Sequence, residues 1–391
     1  MTASNPRSTT QSQSRMFTRC AAAGAASALA LAMTACGGGS APAGTPAPVN
    51  SIAAGQYPDY YPADYKDLVA AAEKEGGALT IYSNTDQENW APVFRDFKKK
   101  YAFIKDISAN NLGSDEVFQR VLSENATGKS PADVLVTNAA GAWADFAARP
   151  DVLTQYTSPE LTKVPEFANL LPGVTAMSED AMTITYNTAL MTEAPTGLAS
   201  LAKQAKANPS QFQNKIGIRD IKGAFGFTIF HALTKAKAAA WDSLATILPL
   251  SRPESSSATE KVLSGEYAAG ALVSAAPAFP VVKDSAGLFK ISLPDDGTVV
   301  LPRGLGITAK APHPATAKLF MDFTLSAEGQ QAIQEGGLSS FRDGIKPVEF
   351  TYTYADILKQ VGQENIISVP FEKVSDAEKA AFTERWNSLK K

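Results

Sequence analysis

Leu79-Thr80-Ile81-Tyr82-Ser83-Asn84-Thr85-Asp86-Gln87-Glu88-Asn89-Trp90 is the stretch on which the fold turns. Thr80, Ile81 and Tyr82 are three β-formers in a row, which predicts a short buried strand. Ser83, Asn84 and Thr85 are turn and cap types. From Asp86 the pattern turns helical, with Trp90, Val93, Phe94 and Phe97 on one face. Acidic residues suit the first turn of that helix. A strand that feeds a helix through a small polar loop leaves hydroxyls and backbone N–H groups at its C-terminal end. Open α/β sheets take ligands at that edge.

The unit repeats. A strand is expected at 104–108, the polar loop Asn110-Asn111-Leu112-Gly113-Ser114 follows, and a helix at 115–123 buries Val117, Phe118, Val121 and Leu122. A third strand at 131–136 leads through Thr137-Asn138-Ala139-Ala140-Gly141 into a helix carrying Trp143 and Phe146. Three such units predict a parallel, doubly wound sheet whose loops share one edge. A strand at 182–186 then enters Asn187-Thr188, and the pattern restarts. Helix 198–206, strand 215–219, the loop Lys222-Gly223-Ala224-Phe225-Gly226, helix 227–235, helix 258–264 and strand 269–273 follow in order. Ser274-Ala275-Ala276-Pro277 reads as one more strand-end loop. Strands at 291–294 and 304–308 and helices at 314–325 and 326–335 complete the reading.

Composition bounds the function. The chain has 391 residues, 45% hydrophobic and 19% charged, enough for more than one lobe. The net charge of −3 becomes −6 once the three arginines of residues 1–35 are set aside. A mildly acidic body argues against nucleic-acid binding, which needs a basic footprint. The two cysteines, Cys20 and Cys36, precede the folded region, so no disulfide or thiol chemistry is expected in the body. With only His231 and His313 as histidines, no zinc site is expected. No metalloprotease, nucleophile-elbow or phosphate-loop pattern occurs. We therefore expect no catalytic residues, no metal and no cofactor.

The first 35 residues read as an address. Arg15 and Arg19 precede an Ala-rich apolar stretch too short for a membrane span. Met33-Thr34-Ala35-Cys36 resembles a bacterial lipobox, which implies cleavage before Cys36 and lipidation of its thiol. Residues 36–55, rich in Gly, Pro, Ala and Ser, lack the apolar content to fold and predict a flexible tether. Residues 56–391 are the folded body.

In that body several stretches together resemble the extracellular solute-binding proteins of ABC importers. They are Ala78-Leu79-Thr80-Ile81-Tyr82-Ser83, Pro131-Ala132-Asp133-Val134-Leu135, Thr183-Ile184-Thr185-Tyr186-Asn187-Thr188 and Lys215-Ile216-Gly217-Ile218. The most specific is Leu301-Pro302-Arg303-Gly304-Leu305-Gly306-Ile307 with the 314–329 segment that follows. Their order and spacing are similar to the branch that binds ferric ion, phosphorylated sugars, aminoethylphosphonate, thiamine and polyamines.

The resemblance implies an α/β, two-lobed periplasmic-binding-protein fold with crossing hinge strands. Lobe 1 would span about 78–182 plus part of 300–345, and lobe 2 about 187–299, with the C-terminal helices unassigned. It implies a monomer that captures a small polar, anionic organic solute and delivers it to a permease and an ATPase on other chains. The protein would sit outside the cytoplasm, held to a membrane by lipid alone. Ligand contacts are implied at Ser83, Asn84, Thr85, Gly113, Ser114, Thr137, Asn138, Tyr186, Gly223, Phe225, Ser274 and Arg303.

The departures bear on the ligand. Ferric binders of this branch carry adjacent tyrosines where Ala275-Ala276-Pro277 stands here, and the first loop supplies no histidine. Hydroxyls, amides and helix N-termini suit an organic anion better, with Arg219, Lys222 or Arg303 as sources of charge. A ferric binder, a secreted hydrolase and a sensory binding protein are the alternatives. The hydrolase lacks a histidine beside the serines of the cleft. For the remaining candidates the plainer readings are preferred: Trp90 and Trp143 as helix core, His231 as a satisfied, partly buried side chain, His313 as an exposed loop residue.

Overall fold

Two long strands run side by side through the middle of the molecule and belong to both halves of it. In the computed structural model, which describes residues 57–390, they are β5 (Val174–Asn187) and β10 (Thr298–Ile307). They pair antiparallel over Val174–Ala181 and Val300–Gly306. The other strands are β1 (Ala78–Ser83), β2 (Asp106–Asn111), β3 (Val134–Thr137), β4 (Asn169–Leu171), β6 (Ile216–Arg219), β7 (Ser251–Glu254), β8 (Ala269–Ser274), β9 (Phe289–Ser292) and β11 (Ile366–Ser368). The main order is β2-β1-β3-β10-β5-β8-β6-β7.

On one side β1 lies between β2 and β3, all parallel, as the three strand-loop-helix units require. On the other side β6 lies between β7 and β8, again parallel. The two crossing strands join these sheets antiparallel, β10 to β3 and β5 to β8. The first sheet packs its helices around Trp90, Phe97, Phe320 and Phe323 on one face and Phe118, Trp143 and Phe146 on the other. The second has its own core around Phe212, Ile216, Phe230, Leu244 and Trp386. Trp90 and Trp143 have no exposed surface and serve as core.

Several expectations need correction. The crossing strand begins at Val174, eight residues before the expected 182, because its middle, Ser178-Glu179-Asp180, is polar yet fully enclosed. No loop exists at Ser274-Ala275-Ala276-Pro277: the helix Ala275–Asp284 starts directly after β8. The sequence pattern does not mark β7, and it leaves the C-terminal helices unassigned. One of these, the helix Asp376–Ser388, places Phe382 and Trp386, one helical turn apart, into the second core. His313 is not a free loop residue, since its backbone N–H and Nδ1 meet the two carboxylate oxygens of Asp133 at 2.6 and 3.1 Å. The expected leader at 1–35, Cys36 and the tether at 36–55 lie outside the described residues.

The body's first residues anchor to the first half. Tyr57, Tyr61 and Tyr65 pack ring on ring, and Tyr65 and Tyr156 donate to Asp322 at 2.7 and 2.8 Å. Among the described residues no helix is long and apolar enough to cross a membrane.

Candidate functional site

The C-terminal ends of β1, β2 and β3 face those of β6, β7 and β8 across a cavity of about 690 Å³. Such a volume suits a small metabolite. Asn84, Thr85, Gly113, Ser114 and Asn138 line it from the first sheet's loops; from the second come Gly223, Phe225 in the first turn of the helix Ala224–Ala236, and Ser274 at the end of β8. Arg303 reaches it from β10. Nine of the twelve residues expected at the ligand are thus brought together.

The other three are elsewhere. Ser83 and Thr137 have no exposed surface. Ser83 Oγ accepts from Thr85 N–H at 2.9 Å, and Thr137 accepts on its carbonyl from Trp143 Nε1 at 2.9 Å. They shape the loops from beneath. Tyr186 lies far along β5, paired with Ala269 and Lys290, inside the second core. A strand alternates its side chains, and this one turns away from the cavity.

A hydrogen-bonded chain crosses the floor. Asn84 Nδ2 donates to Ser114 Oγ at 2.9 Å and to Asn138 Oδ1 at 2.8 Å. Arg303 Nη1 donates to Asn84 Oδ1 and Thr85 Oγ1, both at 2.9 Å. Its Nη2 reaches Asp180 Oδ2 at 3.3 Å. Asp180 also accepts from Asn138 Nδ2 at 3.1 Å and from Ser274 Oγ at 2.7 Å. It lies beside the first turn of the helix Ala275–Asp284, where a negative charge is favoured. Burial pushes the Asp180 carboxyl up; Arg303, Ser274, Ala276 and Asn138 pull it back. Burial likewise pushes Arg303 down, opposed by Asp180.

Backbone irregularities aim these groups. On β10 the pairing register slips between Arg303 and Gly304, and such slips re-aim side chains. A Cβ on Gly304 would lie 2.8 Å from Trp143 Nε1 and 2.9 Å from the Phe371 ring, so only glycine fits there. The register also slips between β5 and β8, where Leu272 takes φ 54° two residues before Ser274. A branched side chain at that φ is strained and held by its surroundings.

Sequence reasoning missed Asp180, the keystone of the floor. It also missed Ser255, Ser256 and Ser257, which line the cavity after β7. Three consecutive serines behind a strand are the kind of polar loop that located the other sites. Asp180 offered a subtler signal, a Ser-Glu-Asp triplet inside an otherwise apolar run. Of the three cations named as charge sources, Arg219 and Arg303 line the cavity and Lys222 does not. Arg219 lies 4.8 Å over the Phe225 ring, has a buried Nη1 with no partner, and makes no ion pair among the described residues. Burial pushes its pKa down. The cavity's rim on the first side carries Asp86, Asp115 and Glu116, all exposed. No lining residue is a tyrosine, histidine or cysteine. His231 is satisfied outside it by Glu378 at 3.0 Å.

Comparison with known proteins agrees with this architecture. Residues 92–355 match the family described as bacterial extracellular solute-binding protein. The substrate binding protein of an ABC transporter from Agrobacterium tumefaciens superposes with a TM-score of 0.71 at 20% identity, over 81% of this chain and 96% of its own. The periplasmic binding protein AfuA from Actinobacillus pleuropneumoniae, with fructose-6-phosphate bound, gives 0.63 at 19%, over 80% and 98%. Iron-bound HitA from Pseudomonas aeruginosa gives 0.60 at 19%, over 80% and 99%. At such identities the likeness establishes the two-lobed fold and nothing about the ligand.

Proposed function

The chain belongs to the bacterial extracellular solute-binding proteins, and from that premise we propose that it captures a small polar organic solute with an anionic group between its lobes. It then hands the solute to an ABC importer whose permease and ATPase are other chains. Capture makes and breaks no bond: the lobes hinge on β5 and β10 and close over the solute. Lipidation at Cys36 would keep the body near the membrane as a monomer.

The observation that carries this reading is Arg219. A guanidinium with a buried, unpartnered nitrogen on one wall of a polar cavity lacks the acceptor that its burial calls for. A carboxylate or phosphate oxygen of the solute supplies it. Loop amides and hydroxyls at Asn84, Ser114 and Ser255 to Ser257 would read the rest of the molecule. The cavity wall carries no phenol, and hard ferric iron favours phenolate oxygens, which weighs against iron as cargo. Serine Ser274 donates to Asp180 and has no imidazole beside it, so the cleft lacks an activated nucleophile.

A thermal-shift panel of organic acids, sugar phosphates and amino acids, with chelated ferric iron as comparison, tests the proposal. A true ligand raises stability by mass action, about 2.7 kcal/mol at a hundred times its Kd. Stabilisation by organic anions is expected. Stabilisation by ferric iron alone would refute it.

A further inference from the structure

The floor of the cavity already holds an anion, and it is the protein's own. Ser274 Oγ lies 2.7 Å from both carboxylate oxygens of Asp180. Asn138 Nδ2 and Arg303 Nη2 complete its donors, beside the first turn of the helix Ala275–Asp284. A hydroxyl, an amide, a guanidinium and the first turn of a ten-residue helix are the donor types with which proteins seat a ligand's phosphate or carboxylate. Asp180 is 2% exposed.

We propose that Asp180 determines the specificity of the cleft: its tethered carboxylate fills the anion seat on the floor, so a free oxyanion finds no place there and the solute's anionic group goes to Arg219. This rests on the solute-capture reading and names the residue that sets which end of the solute faces which wall.

Three features support it. Both terminal nitrogens of the floor's cation are engaged, since Arg303 divides them among Asn84, Thr85 and Asp180 and leaves only its Nε without a partner. An anion placed beside Asp180 would meet a second negative charge in a buried setting where screening is weak. Arg219, at the end of β6, makes no ion pair among the described residues, lies over Phe225 and is close enough to feel the charges of Asp180 and Glu254. A dianionic headgroup is therefore disfavoured at the floor, and the solute presents hydroxyls or a cationic group to that end.

The test uses inorganic phosphate and sulfate as probes, with chloride at matched ionic strength, on the purified protein. All three proteins carry Arg219→Ala, so that the wall's own cation cannot take the probe; on that background the protein with Asp180 intact (here the wild type), Asp180→Asn and Asp180→Ser are followed by calorimetric titration and thermal melts. Asp180→Asn keeps the shape and removes the charge; Asp180→Ser opens the seat. Wild type is expected to show no saturable phosphate binding at low millimolar concentration. Either variant should gain it, with affinity raised at least about tenfold, a difference of about 1.4 kcal/mol. A folded variant that gains nothing overturns the proposal, as does wild type binding phosphate as tightly as the variants. If neither variant folds, the wild-type titration decides: low-millimolar phosphate binding refutes the filled seat and its absence supports it. The titration needs no knowledge of the natural solute, so a cargo other than an organic anion would leave its outcome unchanged.

Discussion

Glu179 sits beside Asp180 on β5, and alternation along the strand turns it away from the cavity. It is 3% exposed, its Oε1 has no partner, and it makes no ion pair among the described residues. Its backbone is fixed by a two-way bridge to Ser339, at 2.9 and 3.3 Å. Burial pushes this carboxyl well above the usual range, and the neighbouring Asp180 adds to the shift. The sign follows. A carboxyl with a raised value holds its proton in the folded protein after the unfolded chain has released it. Its contribution to stability is therefore complete below about pH 4.3 and falls as pH rises. The slope is about 1.4 kcal/mol per pH unit for one proton. Between pH 5 and 7 the wild type should lose stability on this account, and Glu179→Gln should not. Urea unfolding of both proteins at pH 5, 6 and 7 measures the difference, in which other titrating groups cancel. Parallel stability profiles would show that Glu179 is ionised in the folded state, and the reasoning would fail.

Arg219→Ala should weaken solute binding about tenfold or more, the value of a hydrogen bond to a charged group. Its melting temperature should hardly move, because Arg219 has no ion pair to lose; calorimetry with the released solute reads the first and a melt the second. Gly226→Ala should destabilise by about 1–3 kcal/mol, since the added methyl would strike the Asp220 carbonyl beneath the first turn of the helix Ala224–Ala236, which carries Phe225. Tyr65→Phe removes a donor to Asp322, whose carboxyl burial pushes up to about 6. Its cost should be about 1.5–3 kcal/mol at pH 7.5 and shrink towards about 0.5–1.5 kcal/mol at pH 5, where the carboxyl is protonated; denaturant melts at the two values test this.

The sequence shows well those parts of the fold where local pattern and tertiary role coincide. Ile81 and Val136 are buried strand residues flanked by polar loops, and each loop reached the cavity edge. It fails where burial and polarity disagree. Ser178, Glu179 and Asp180 interrupt an apolar run, so half of β5 looked like a connection, although tertiary contacts enclose all three. Ser274 was placed at the site for the right edge but the wrong element, since nothing in Ala275-Ala276-Pro277 announces a helix whose start packs beside Asp180 of a distant strand. Ser83, Thr137 and Tyr186 show the converse limit: polar residues at a strand end can serve the loop or the core as readily as the ligand. At the helix Tyr354–Val361 the signal is local and legible, a capping box formed by Thr353 and Asp356.

The central claim is that an organic anion occupies the cleft. Native mass spectrometry of the purified protein, before and after mild denaturation, tests it most directly, because such proteins can retain cargo through purification. The account predicts a released mass of a few hundred daltons or less, matching a carboxylated or phosphorylated metabolite, and loss of that mass in Arg219→Ala. Release of iron, with the wild type and Arg219→Ala alike, would contradict it.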